Sequence, residues 1–83
     1  MYKMIKALSH RGEDKLDSIA AIHSLEGYFG EKPIVGGHIY YVYNDKSGQM
    51  MRSSIICSVK HEDNIVKIKT KNTEYWFEEL EEK

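Results

Sequence analysis

Staples are scarce in this chain: it has one cysteine and one proline among 83 residues. A single cysteine excludes an internal disulfide. The four histidines, at 10, 23, 38 and 61, are too scattered for a structural zinc pattern. No apolar run approaches the ~20 residues that span a bilayer, and the opening MYKMIKALSHRGEDK lacks the unbroken apolar centre of a secretory signal. A cytoplasmic location is the expectation, which a lone reduced cysteine fits. Also missing are a phosphate-cradling glycine motif and a nucleophile beside an evident base. Those absences argue against an enzyme, and no cofactor is expected.

What is present suits one folded domain. The chain is 41% hydrophobic and 30% charged with a net charge of -1, which is not the composition of a disordered segment. The charge is uneven: residues 78–83 (EELEEK) are acidic, so the rest is mildly basic. A domain this short buries only about 60% of its unfolded surface, and self-association is a natural supplement to so small a core.

The patterning predicts an α+β fold, with one helix packed on an antiparallel sheet of four or five strands that curls toward a small barrel. YKMIKALS (2–9) reads as a strand, although Met4-Ile5 and Ala7-Leu8 break its alternation. Residues 14–26 read as a helix capped by Asp14 and ended by Gly27, with Leu16, Ile19, Ala20 and His23 on one face. A strand through residues 18–25 is the alternative. GYFGEKPIVGG (27–37) reads as a loop whose Tyr28-Phe29 folds back on the core. From residue 38 to 80 an antiparallel meander is expected, with strands at 38–44, 49–60, 65–71 and 75–80. Strict alternation in the second of these puts Met51, Ser53, Ile55, Cys57 and Val59 on one face, with Cys57 as a packed thiol.

Two features suggest a surface. Lys67, Lys69 and Lys71 share one face of their strand by period-two spacing, with Arg52 and Lys60 as extensions from the neighbouring strand. Such a row meets phosphate, or is simply a solvated face that discourages edge pairing. The aromatics Tyr40, Tyr41, Tyr43, Tyr75, Trp76 and Phe77 fall on both faces of their strands. In a chain this small, one face of each strand is expected to meet a ligand or a second subunit.

The stretch TKNTEYWF (70–77), taken with Ser53-Ser54, carries a further pattern. Ser53, Ser54 and Ile56, then Thr70, Asn72, Thr73 and Tyr75, resemble small, mostly uncharacterised bacterial and phage proteins. In those, a Thr-Ser-x-Val/Ile step precedes a Thr-x-Asn-Ser/Thr-x-Tyr step; here serine stands at the first position. The resemblance covers residues ~50–80 and implies a compact β-rich fold in a phage or mobile-element setting, without an assigned activity. The functional expectation is therefore a non-enzymatic binding protein, such as a counter-defence inhibitor that occupies a host protein or a sponge for a phosphorylated, nucleotide-like ligand. Arg52, Lys67, Lys69 and Lys71 would meet phosphate while Tyr75 or Trp76 stacks on a base. Direct nucleic-acid binding through the same face, or a purely structural oligomer, are the alternatives.

Overall fold

Alternating β-branched and aromatic residues dominate the chain from His38 onward. In the computed structural model, which describes residues 1–80, they form the strands that this pattern requires. The strands are β1 (Tyr2–Ser9), β2 (Glu26–Phe29), β3 (His38–Tyr43), β4 (Met50–Glu62), β5 (Ile65–Thr70) and β6 (Thr73–Glu79). Each pairs antiparallel with the next, and β6 returns to pair with β1, so the sheet closes into a barrel. One short helix, α1 (Leu16–Ala20), lies between β1 and β2. Among the described residues, no helix is long and apolar enough to cross a membrane.

A barrel this narrow is filled by its own side chains. Met4, Ala7, Ile39, Tyr41, Ile68 and Phe77 are fully buried, with Ile56, Val66, Tyr43 and Tyr75 nearly so. Phe29 packs against Tyr2, Tyr41 and Phe77, with ring centroids 4.6, 5.6 and 4.9 Å apart. The Tyr41 hydroxyl crosses the interior to the β1–β2 seam, 2.8 Å from the Leu25 carbonyl and 3.0 Å from that of Tyr2. Burial raises its pKa well above the ordinary tyrosine value, so it stays a neutral donor there.

Three bulges curve the sheet, and they explain where strict alternation fails. In β1 the register shifts between Met4 and Lys6, so Met4 and Ala7 both face inward. In β4 it shifts against β3 near Ser53-Ser54 and against β5 at Cys57. β4 therefore buries Ser53 and Ile56 and packs Met51 and Val59 against the core, as alternation predicts for all but Ile56, while Ile55 is half exposed. Cys57 is exposed rather than packed, because it is the extra residue of the second bulge.

The helix is much shorter than the pattern over residues 14–26 predicts. Asp14 does serve its start, accepting the Leu16 N–H at 2.8 Å, but α1 ends at Ala20 and buries no residue. Of the predicted inner face, Leu16 and Ile19 do pack, half-buried, against the core, while Ala20 is exposed. Residues from Leu25 onward pair instead: the Met4 N–H donates to the Leu25 carbonyl at 2.8 Å, and Gly27 stands between Tyr2 and Tyr43. Gly27 is thus no helix stop but part of a sixth strand that the glycine-rich composition concealed.

His23 lies beyond the helix rather than on its inner face. Its ring stacks on Tyr43 at 4.1 Å, and Nδ1 sits 3.3 Å from Asp45 Oδ2 and 3.4 Å from Ser47 Oγ. Asp45 also accepts the N–H groups of Ser24 (3.1 Å) and Ser47 (2.9 Å), and the Ser47 hydroxyl donates to it. These bonds, those of Ser47 foremost, hold its carboxyl down to about 2. A carboxylate whose folded pKa lies below its unfolded value stabilises the fold above the unfolded pKa, near 3.8, and loses that contribution as pH falls through about 2. In an acid titration of stability, wild type should lose ground over pH 4 to 2, and Asp45→Asn should be less stable at pH 7 with a flatter profile there. Parallel acid profiles for the two proteins would show that Asp45 does not clamp this hairpin.

Candidate ligand surface on the outer sheet face

On the outer face of β4–β5–β6–β1, side chains opposite one another in register form rows. Lys60 faces Lys67, Lys67 faces Trp76, and Trp76 faces Lys6. In the next row Ser58 faces Lys69, and Lys69 faces Glu74. A half-buried indole therefore stands between ammonium groups from both flanking strands, Lys6 Nζ at 4.2 Å and Lys67 Nζ at 4.4 Å from the ring centroid. Both lie within cation–π range.

Carboxylates interleave with these lysines. Lys67 Nζ is 2.8 Å from Glu62 Oε2, and the hydrogen bond and charge of Lys67, with Lys60 adding, hold the Glu62 carboxyl below its usual range. Lys60 opposite Lys67 is a repulsive pair in isolation, and Glu62 offsets it. Glu74 Oε1 accepts the Trp76 Nε1–H at 3.1 Å, which fixes the ring's orientation. Lysines, glutamates and tryptophan line a concavity of about 370 Å³ bounded by Ser58, Lys60, Lys67 and Trp76.

Of the residues expected from sequence, the structure brings Lys67, Lys69 and Trp76 together and joins Lys60 to them. Lys71 lies past the end of β5, exposed in the turn before β6. Arg52 stands elsewhere, opposite Tyr40 of β3 with its guanidinium 5.9 Å from that ring. Tyr75 points the opposite way from Trp76, into the barrel, because neighbours on a strand alternate. Burial raises its pKa, and its ring packs with Phe77 at 6.2 Å. Of the aromatics on the two faces of β3, Tyr41 and Tyr43 are the ones turned into the core.

The Ser/Thr/Asn pattern has a local use. The Thr70 hydroxyl donates to the Thr73 carbonyl at 2.7 Å and accepts the Thr73 N–H at 3.1 Å. Ser53 Oγ accepts the Ile39 N–H at 2.8 Å where the bulge takes away its ladder partner, and Ser54 Oγ accepts the Asn72 N–H at 3.2 Å. These groups hold the corner at which β4 leaves β3 for β5. Asn72 keeps a negative φ, so the left-handed conformation that asparagine tolerates in turns is used here by Asp63 of the preceding turn instead.

Sequence reasoning missed Lys6, Glu62 and Glu74. Glu74 shares a face with Trp76 by period two and was legible; Lys6 was hidden by the β1 bulge. His23, Asp45 and Ser47 have the composition of a hydrolytic triad, yet Asp45 and Ser47 both approach Nδ1. A relay needs the acid and the nucleophile on opposite ring nitrogens. Among the described residues no group of three His, Cys, Asp or Glu side chains could hold a metal ion. Comparison with protein-family models, with curated proteins and with solved structures finds no match.

Proposed function

We propose that this protein binds, without chemical conversion, a small phosphorylated ligand of nucleotide type on the outer β4–β5–β6–β1 face. One observation carries the reading: Trp76 stands among Lys6, Lys60, Lys67 and Lys69, two of whose amines lie within 4.4 Å of its ring. A base stacks on the indole by displacing one of the two ammonium groups over the ring, and the displaced lysine with its neighbours then meets phosphate. Taken with the resemblance of residues ~50–80 to small phage proteins, this is the chemistry of a counter-defence sponge that sequesters a ligand.

Isothermal titration with AMP tests the reading. Base stacking on an aromatic contributes about 1–3 kcal/mol, so Trp76→Ala should weaken AMP binding by roughly tenfold or more while leaving the circular dichroism spectrum unchanged. Equal AMP binding by the two proteins would remove Trp76 from the site. A long single-stranded oligonucleotide that binds more tightly than AMP, with a steep loss on adding salt, would instead favour direct nucleic-acid binding.

The expected self-association has its own supporting surface, away from the lysines. Tyr28 and Met50 flank Val42 in register across β2, β3 and β4 and are 46% and 51% exposed, with Tyr40 next on the outer face of β3. A subunit interface covering these residues leaves the Trp76 face open. Native mass spectrometry of protein purified from the producing cells reads both the subunit number and any retained ligand mass.

A further inference from the structure

The barrel wall is incomplete at one mouth. Pairing between β3 and β4 runs only to His38 opposite Ile55, after which Gly36 and Gly37 bond Ile56. Beyond Ile56, β4 pairs with β5 alone. Across from its second half comes the connection between β2 and β3, with Pro33, which has no N–H to give a ladder. A cleft of about 100 Å³ results, walled by Tyr2, Phe29, Pro33, Val59 and Val66. The exposed Lys32 and His61 complete its lining. Val59 and Val66 face the interior, and the cleft shares no lining residue with the concavity at Trp76.

Barrel mouths are recurrent ligand sites, mostly apolar with a few polar groups that fix orientation. The space here is that of a single ring, since an apolar cavity of about 150 Å³ holds benzene. Phe29 and Tyr2, 4.6 Å apart and tilted by 60°, offer it aromatic edges and faces. The two polar members are both donors, an ammonium and an imidazole that keeps an N–H in either protonation state. Among the described residues neither side chain has a hydrogen-bond or ion-pair partner, and no carboxylate lines the cleft. Of the nearby acids, Glu62 is turned outward to Lys67, while Glu31, beside Lys32, and Glu79, opposite Tyr2, stand outside the lining. We propose that this mouth binds a small aromatic carboxylate, its ring against Phe29, Tyr2, Val59 and Val66 and its carboxylate accepting from Lys32 and His61. The site is independent of the nucleotide reading and stands or falls without it.

The experiment is an amide NMR titration with phenylacetate and with its neutral analogue phenylacetamide, on wild type and on the double variant Lys32→Gln/His61→Gln. Both substituted side chains are exposed, so the fold should be retained. A ligand of about ten non-hydrogen atoms should bind near 1 mM, shifting the amides of Phe29, Val59 and Val66. Phenylacetate should bind wild type about fivefold more tightly than phenylacetamide, the scale of an exposed ion pair. The double variant should bind both probes as wild type binds the amide. Equal affinities of wild type for the two probes would overturn the cationic edge without recourse to any variant. Shifts confined to Trp76 and its lysines, or no shift at Phe29, Val59 and Val66 with either probe, would overturn the site itself.

Discussion

Phe77→Ala should remove about 3–5 kcal/mol of stability, while Trp76→Ala, one residue away, should leave the barrel almost as stable as wild type. Phe77 is fully buried, touching Phe29 at 4.9 Å and Tyr41 at 4.8 Å between ring centroids. Truncating a buried phenylalanine costs about 3–5 kcal/mol, the lost transfer free energy plus a cavity. At roughly 0.05–0.15 kcal/mol per residue, a domain of this size has about 4–12 kcal/mol in total, so one substitution consumes much of it. Trp76 faces outward between lysines, and its removal leaves no interior cavity; a loss near ~1 kcal/mol is expected, as for a surface position with packed neighbours. Urea denaturation followed by circular dichroism gives both numbers. Similar losses for the two variants would mean that β6 does not alternate as described.

Gly27→Ala should be nearly as damaging, for a steric reason. A Cβ at Gly27 would stand 2.3 Å from the Val42 carbonyl oxygen and 2.9 Å from Cζ of Tyr41. The first of these is backbone, and Tyr41 is held by its hydroxyl at the seam, so neither yields cheaply. Overpacking typically costs 1–3 kcal/mol, and more where the backbone must move; about 3 kcal/mol is expected here. Gly27 also carries the register on both sides, opposite Tyr2 and Tyr43, so a shift there loosens the β1–β2 closure. With about 4–8 °C of melting temperature per kcal/mol in a domain of this size, the drop should exceed ~12 °C. Gly30→Ala is the control: its Cβ would meet only Tyr40 atoms at 3.6 Å, ordinary contact distance, and little change is expected. A Gly27→Ala protein that melts with wild type would show that β2 does not pass this close to Tyr41.

The candidate surface was legible where alternation is clean. Val66, Ile68 and Thr70 inward with Lys67 and Lys69 outward follow from a period of two, because β5 has no bulge against β6. Trp76 outward follows from the same rule. Lys71 was misplaced because the strand ends at Thr70, whose hydroxyl bonds around the turn to Thr73. Arg52 was misplaced because β4 is long and pairs with two different strands: its first half, with Arg52, serves β3, and only its second half serves β5. Cys57 and Ile55 were placed inward because a bulge residue has no signature in one-dimensional alternation. Of the acidic stretch, Glu78 lies opposite Lys3 and Ile65 at the sheet's end, while Glu81, Glu82 and Lys83 lie outside the described residues.

From its sequence alone this chain is committed to a β-rich domain with a lysine row on one strand face and aromatics on both sides of two strands. Residue type and a period of two suffice for that, since they act locally. Tertiary structure decided the rest. Whether the chain beyond Ala20 continues a helix or turns into a strand at residues 26–29 depended on what it could pair with, and the open seam between β1 and β3 offered backbone partners that a helix could not use. Which side of the aromatic strands became interior was decided by closure, because only a ring of six strands turns Tyr41, Tyr75 and Phe77 toward one another. Closure also brought Lys6, from the first strand, to the side of Trp76 in the last, a neighbourhood that no local pattern encodes.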